Sequence, residues 1–246
     1  MNYSTAPLKR SAIALVTFAA IGLAGCSDND DETTAVTTPV VPPVVAPVMQ
    51  DYSISVTNLT ANQPMSPIAV VSHTQDSKLW STGMPASVAL ETLAESGDGS
   101  ALANETGVNE LVSGSGILPP GMTETINLSL EQDDVADLSV ITMLVNTNDA
   151  FSGTTGFDLS TLAVDQTTTL RLIAYDAGTE ANSESKGTIP GPADSGEGFN
   201  AARDDNDKVH AHPGVISKDD GLMDSVLSAS HRFDNPVMLV KVTRTQ

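Results

Sequence analysis

Two acids at the ends of apolar runs are the residues of this 246-residue chain whose placement first suggests chemistry. Asp149 follows Leu138–Val145, a nearly continuous apolar run that predicts a central buried strand. Asp176 follows Thr169–Tyr175, a second strand-like run. If the two strands are neighbours, both carboxylates emerge at one rim of a sheet. Gly178 permits a tight turn that brings Glu180 back toward Asp176. Three carboxylates at one spot repel each other, and a hard divalent cation relieves that repulsion. Ca²⁺ takes six to eight oxygen ligands at about 2.3–2.6 Å, so loop carbonyls, Asn148 or water would complete the set. The alternative is three ordinary solvated acids among the 31 Asp and Glu of the chain.

A different metal chemistry is written in Val209-His210-Ala211-His212-Pro213-Gly214. On a strand, His210 and His212 would present both imidazoles on one face, an arrangement that suits Zn²⁺ or Cu²⁺, with His73 or His231 as a third ligand. That site would make the chain a periplasmic or surface metal-dependent enzyme or a metal-handling protein. The plainer reading is a polar loop with two exposed histidines. Asp204-Asp205-Asn206-Asp207 resembles half of an EF-hand loop but lacks the sixth-position Gly and the distal Glu, and reads as a solvated loop. Nucleophilic catalysis has little support. No Gly-x-Ser-x-Gly occurs, and Ser115 between two glycines has no α/β framework around it. Trp80 is either a stacking platform for a ligand or part of the core.

The elements that must position these residues are mostly strands. Asp51–Asn58 alternates strictly, with Tyr52, Ile54 and Val56 on one face, and Thr125–Leu130 alternates in the same way. Ile68–Ser72 and Pro236–Thr243 add two more strands. Ser87–Glu95 reads as a helix, with Leu90, Leu93 and Ala94 at helical spacing and Gly97 as a stop; Val108–Val112 suggests a second short helical turn. Strand and helix do not alternate regularly, so a parallel α/β sheet is disfavoured. The pattern predicts an all-β antiparallel sandwich with one or two short helices. A long polar stretch from Asp176 to about Asp220 interrupts it, and loops of that length inside a domain are usually functional or disordered.

Composition narrows the partners. Eleven Lys and Arg against 31 Asp and Glu give a net charge of −20, so no basic footprint exists for nucleic acid. A single Cys excludes an intrachain disulfide and a cysteine-clustered zinc site. That Cys closes the N-terminal segment. Lys9 and Arg10 precede the apolar stretch Ser11–Leu23, which runs into Leu23-Ala24-Gly25-Cys26. This ending resembles the bacterial lipobox, whose Cys is lipidated and becomes the mature N-terminus. Loss of residues 1–25 removes two bases and no acid, leaving nine bases against 31 acids, a net charge of −22. Attachment to a membrane would then come from the lipid on Cys26 and not from charge. Ser27 after the Cys points, by resemblance to Gram-negative sorting, to the outer membrane. Residues 26–50 read as a tether: an acidic run, then a Pro/Val/Thr-rich stretch that prefers extended polyproline II.

The domain that follows, residues 51–246, resembles the spondin domains of the F-spondin and mindin type, in a bacterial lipoprotein branch. The resemblance rests on Asn58-Leu59-Thr60 with Ser66-Pro67, on Val71-Ser72-His73, and on Gly83 before the helix. It rests further on Met143–Asp149, on Tyr175-Asp176-Ala177-Gly178-Thr179-Glu180, and on the closing strand Phe233–Arg244. It implies a C2-like β-sandwich with one Ca²⁺ held by Asp149, Asp176 and Glu180. Glu180 stands where the family usually has Asp, and the aromatic expected directly after the first Asp is displaced to Phe151. The function expected on these grounds is a lipid-anchored, calcium-binding, non-enzymatic adhesion or ligand-binding module of the cell envelope. Its partner would be a protein or glycan.

Overall fold

The computed structural model describes residues 46–246; the expected signal segment, Cys26 and the expected tether up to residue 45 lie outside the described residues. Ten strands are formed there: β1 (Met49–Asn58), β2 (Ala69–His73), β3 (Val108–Ser113), β4 (Thr123–Glu131), β5 (Asp137–Met143), β6 (Ala150–Asp158), β7 (Thr167–Leu172), β8 (Ala174–Asp176), β9 (His210–Ala211) and β10 (Met238–Arg244). They pair antiparallel in two sheets, ordered β4-β1-β10-β7 and β3-β2-β5-β6-β8-β9.

Strict alternation makes β1 the spine of the four-stranded sheet. Tyr52, Ile54 and Val56 are buried, and Ile54 pairs with Ile126 of β4 on one side and Val242 of β10 on the other. This apolar face meets Val70, Leu138, Val140, Leu144, Ala150 and Ala174 of the second sheet. The result is an all-β antiparallel sandwich, as the alternating pattern predicts.

The second sheet differs because both of its faces are covered. All of β2 and β5 is buried, which is why Leu138–Val145 reads as a continuous apolar run and not as alternation. Its outer face, with Ala69, Val71, Ile141, Met143 and Phe151, packs against the helix α1 (Val88–Ser96) through Leu90, Leu93 and Ala94. Burying a leucine side chain of this kind is worth about 1.5–3 kcal/mol. The helix ends are set locally. Ser87 Oγ accepts the Leu90 amide at 3.2 Å, and Gly97, at φ 76°, donates its N–H to the Leu93 carbonyl at 2.9 Å. Trp80 belongs to this layer. Its ring stands edge-on to Phe151 at 5.2 Å, and Phe151 stacks on Tyr175 at 5.4 Å.

Three elements depart from the sequence reading. Val108–Val112 is strand β3 and not a helical turn, because it pairs with β2 along its length. The run Thr169–Tyr175 is two strands in different sheets: β7 pairs with β10, the chain breaks at Ile173, and β8 pairs with β6. Strand β6, Ala-Phe-Ser-Gly-Thr-Thr-Gly-Phe-Asp, has two glycines and little alternation, so nothing in its pattern announces a strand. Gly153 has a physical reason to be there. A Cβ at that position would collide with the Val140 carbonyl and lie 3.0 Å from the Trp80 ring. Gly153→Ala should therefore lower stability by about 1–3 kcal/mol by overpacking, read as a shift of the urea midpoint at constant m-value.

Candidate metal centre

The centre is built where β5, β6, β8 and β9 end. After β5 the chain turns tightly. Thr147 Oγ1 donates to the Leu144 carbonyl at 2.6 Å and accepts the Ala150 amide at 3.1 Å, which sets Asp149 immediately ahead of β6. In the β6–β8 ladder Ala150 faces Asp176, and the Ala177 amide continues it to the Asp149 carbonyl at 3.3 Å. Two strand tips thus deliver Asp149 and Asp176 side by side, both fully buried.

Their oxygens are held differently. Asp149 Oδ2 accepts the Thr179 amide at 2.8 Å, the Glu180 amide at 3.1 Å and the Thr179 hydroxyl at 3.2 Å, while Asp149 Oδ1 has no partner. Asp176 Oδ1 accepts the Gly178 amide at 2.8 Å and Asp176 Oδ2 accepts Asn182 Nδ2 at 2.6 Å. Glu180 contributes its main chain to Asp149, but its carboxylate turns to Asn148 Nδ2 at 2.9 Å. Asn148 in turn accepts the Glu184 amide at 3.2 Å, so it braces the loop.

The histidines divide in the same way. β9 lies beside β8 with His210 opposite Asp176. His210 Nδ1 donates to the Lys208 carbonyl at 3.0 Å and stands 3.7 Å from Asp176 Oδ1. His212 is buried, with Nδ1 accepting the Gly214 amide at 2.9 Å and Nε2 donating to Asn182 Oδ1 at 3.2 Å; these contacts assign the Nε2–H tautomer. His73 and His231 are engaged elsewhere, His73 with Ser139 at 2.8 Å and His231 with the Ser228 amide at 3.0 Å.

Asp205 is a residue that the sequence reading assigned to a solvated loop. Among the described residues, ligand atoms of Asp176, Asp205 and His210 lie within 4.8 Å of one another. Gly178 makes this approach possible. At φ 72° it lets the 205–208 segment rest on the 176–180 turn, where a Cβ would strike the Lys208 backbone. The Asp207 amide then reaches the Gly178 carbonyl at 2.8 Å, and the Asp204 amide the Thr179 carbonyl at 3.1 Å. The signal available in sequence was an acidic run one turn ahead of His210, which gives no direction by itself.

Electrostatics set what the centre can hold. Burial, reinforced by the neighbouring Asp176, pushes the Asp149 carboxyl up to about 8. Burial, with Glu95, Asp204 and Glu197 nearby, raises Glu180 to about 7. On α1, Glu91 and Glu95 are also buried, and each has one oxygen without a partner. Arg203 pairs with Glu91 at 2.7 Å and with Asp207 at 2.6 Å. A pocket with this excess of carboxylate takes up either protons or a cation. The unpartnered Asp149 Oδ1 beside a second buried carboxylate fits a hard divalent ion.

The architecture and this centre define an antiparallel sandwich with an acidic pocket at its strand tips. The spondin N-terminal domain profile, Spondin_N, matches residues 55–190, more than half of the chain, and the chain belongs to that family. No curated protein matches it closely enough to count as a relative.

The raised carboxyls carry a pH dependence. Asp149 holds a proton in the folded chain up to about pH 8 but loses it near 3.8 when unfolded; Glu180 and Glu184 act with the same sign up to about 7. The folded state binds more protons across this range, so its stability falls as pH rises. His212, lowered to about 4 by burial, opposes this only below its unfolded value of 6.5. With chelator present, urea midpoints should therefore fall between pH 6.5 and 8, and Asp149→Asn should flatten the slope.

Proposed function

We propose that this chain is a lipid-anchored, calcium-stabilised, non-enzymatic binding module of the bacterial cell envelope, presenting its spondin domain to a protein or glycan. The observation that carries the calcium part is the fully buried Asp149, with one oxygen unpartnered and a second buried carboxylate beside it. Asp149 and Asp176 would hold the ion, and the loop oxygens around Gly178 and Thr179 would complete its shell. Glu180 joins only by leaving Asn148. The ion supplies the positive charge that the pocket lacks and stiffens the long loop between β8 and β9. The non-enzymatic part rests on the family and on the absence of a nucleophile with its base from the sequence motifs. The anchor rests on Leu23-Ala24-Gly25-Cys26. No helix among the described residues is long and apolar enough to cross a membrane.

Calcium should raise the melting temperature of the purified chain by mass action, as RT ln(1 + [Ca²⁺]/Kd). Chelator should reverse the shift, and Asp176→Ala should abolish it. A melting curve indifferent to both calcium and chelator removes the calcium reading. The anchor is tested separately: labelled palmitate should be incorporated into the wild-type chain in a Gram-negative host and not into Cys26→Ser.

A further inference from the structure

We propose that Asp176, Asp205 and His210 form an outer site for a divalent transition ion of the zinc class, at the mouth of the carboxylate pocket and distinct from the calcium pair beneath. The three side chains come from separate places: a strand tip, a loop tip and the edge strand β9. Their ligand atoms nevertheless gather within 4.8 Å. Two donors on one zinc-class ion, at bond lengths of about 2.0–2.1 Å, are at most about 4.2 Å apart. The 3.7 Å between His210 Nδ1 and Asp176 Oδ1 lies inside that limit and is too long for the two groups to satisfy each other by a hydrogen bond.

The chemistry of the donors separates this mouth from a calcium site. Imidazole nitrogen suits zinc, copper or nickel, whereas Ca²⁺ takes oxygen. His210 Nδ1, the nitrogen nearest Asp176, also donates to the Lys208 carbonyl, so it takes the ion by giving up that bond, with the ring proton moved to Nε2. Three protein donors leave the remaining coordination position to water, because Asp205 and His210 are both partly exposed.

A buried relay orients the shared carboxylate. The Gly214 amide donates to His212 Nδ1, His212 Nε2 donates to Asn182 Oδ1, and Asn182 Nδ2 donates to Asp176 Oδ2. Asp176 is therefore held at both oxygens, Oδ2 by Asn182 and Oδ1 by the Gly178 amide, and Oδ1, which keeps a lone pair beyond that one bond, is the oxygen beside His210. Relays of this kind hold the ligands of metal sites in place. They also settle the role of His212. Both of its nitrogens are occupied, so His210 and His212 do not chelate as a pair, and His212 is a positioning residue. Independently of the three donors, Asp149 Oδ1, fully buried and next to Asp176, is left without a hydrogen-bond partner.

The experiment titrates the purified full chain with zinc chloride by calorimetry, with millimolar calcium present. It then repeats the titration with Co²⁺, following its visible absorption. One Zn²⁺ per chain should bind and displace Co²⁺. His210→Ala and Asp205→Asn, both at accessible positions, should each weaken Zn²⁺ at least about tenfold while leaving the calcium-induced rise in melting temperature unchanged. Asn182→Ala should weaken Zn²⁺ and alter the Co²⁺ spectrum without removing a ligand. Zinc affinity unchanged in His210→Ala, or no zinc bound by the wild-type chain, overturns the outer site, whatever calcium does. Zinc binding lost in His210→Ala with no calcium response at all sustains the outer site and removes the calcium reading instead.

Discussion

Two carboxylates are held against each other in a place that water does not reach, and much of the rest of this structure bears on that fact. Asp149 and Asp176 are not brought together by attraction. They sit side by side because the β6–β8 ladder, continued by one more backbone hydrogen bond, fixes the two strand tips in register. Their mutual repulsion and lost hydration must be met by the surroundings. Part is met by three hydrogen bonds into Asp149 Oδ2 and two into Asp176. The remainder, concentrated at Asp149 Oδ1, is what a proton or a cation supplies.

The second sheet has to be unusually well supported to carry this strain. It is covered by the four-stranded sheet on one face and by α1 with the Trp80–Phe151–Tyr175 cluster on the other. That double cover keeps β6 and β8 in place. It also buries Glu91 and Glu95 on the inner side of α1, so the acidic region extends beyond the strand tips. Arg203 compensates at Glu91 and Asp207, and the same residue fastens the 203–207 loop to the helix. The loop that brings Asp205 to the mouth is thus tied down from both sides, by Arg203 and by the Gly178 turn.

Metal selectivity at the two proposed sites would follow from which donors face inward and which face out. The inner donors are oxygens in a dry environment. The outer set adds an imidazole at a solvent-open position. A single shared carboxylate lies between the two environments, and the His212–Asn182 relay determines how it is turned.

Much of the sandwich could be read directly from residue order. Alternation at Asp51–Asn58 and Thr125–Leu130 marks half-buried strands, and Ser87 with Gly97 marks the ends of α1, because period and capping are local properties of the chain. The two principal acids were legible for the same reason, each following an apolar run. Tertiary structure alone decided the rest. Val108–Val112 became an edge strand because β2 offered it an unpaired edge, and β6 formed despite its glycines because β5 and Trp80 required a strand without bulk there. Glu180 turned to Asn148 and Asp205 turned to Asp176 because the Gly178 turn packs against the 205–208 segment, a contact between residues some 30 positions apart in the chain. Local sequence carries the periodicity of an element, but which side chains share a pocket depends on strand order and loop packing, and no single stretch of residues encodes that.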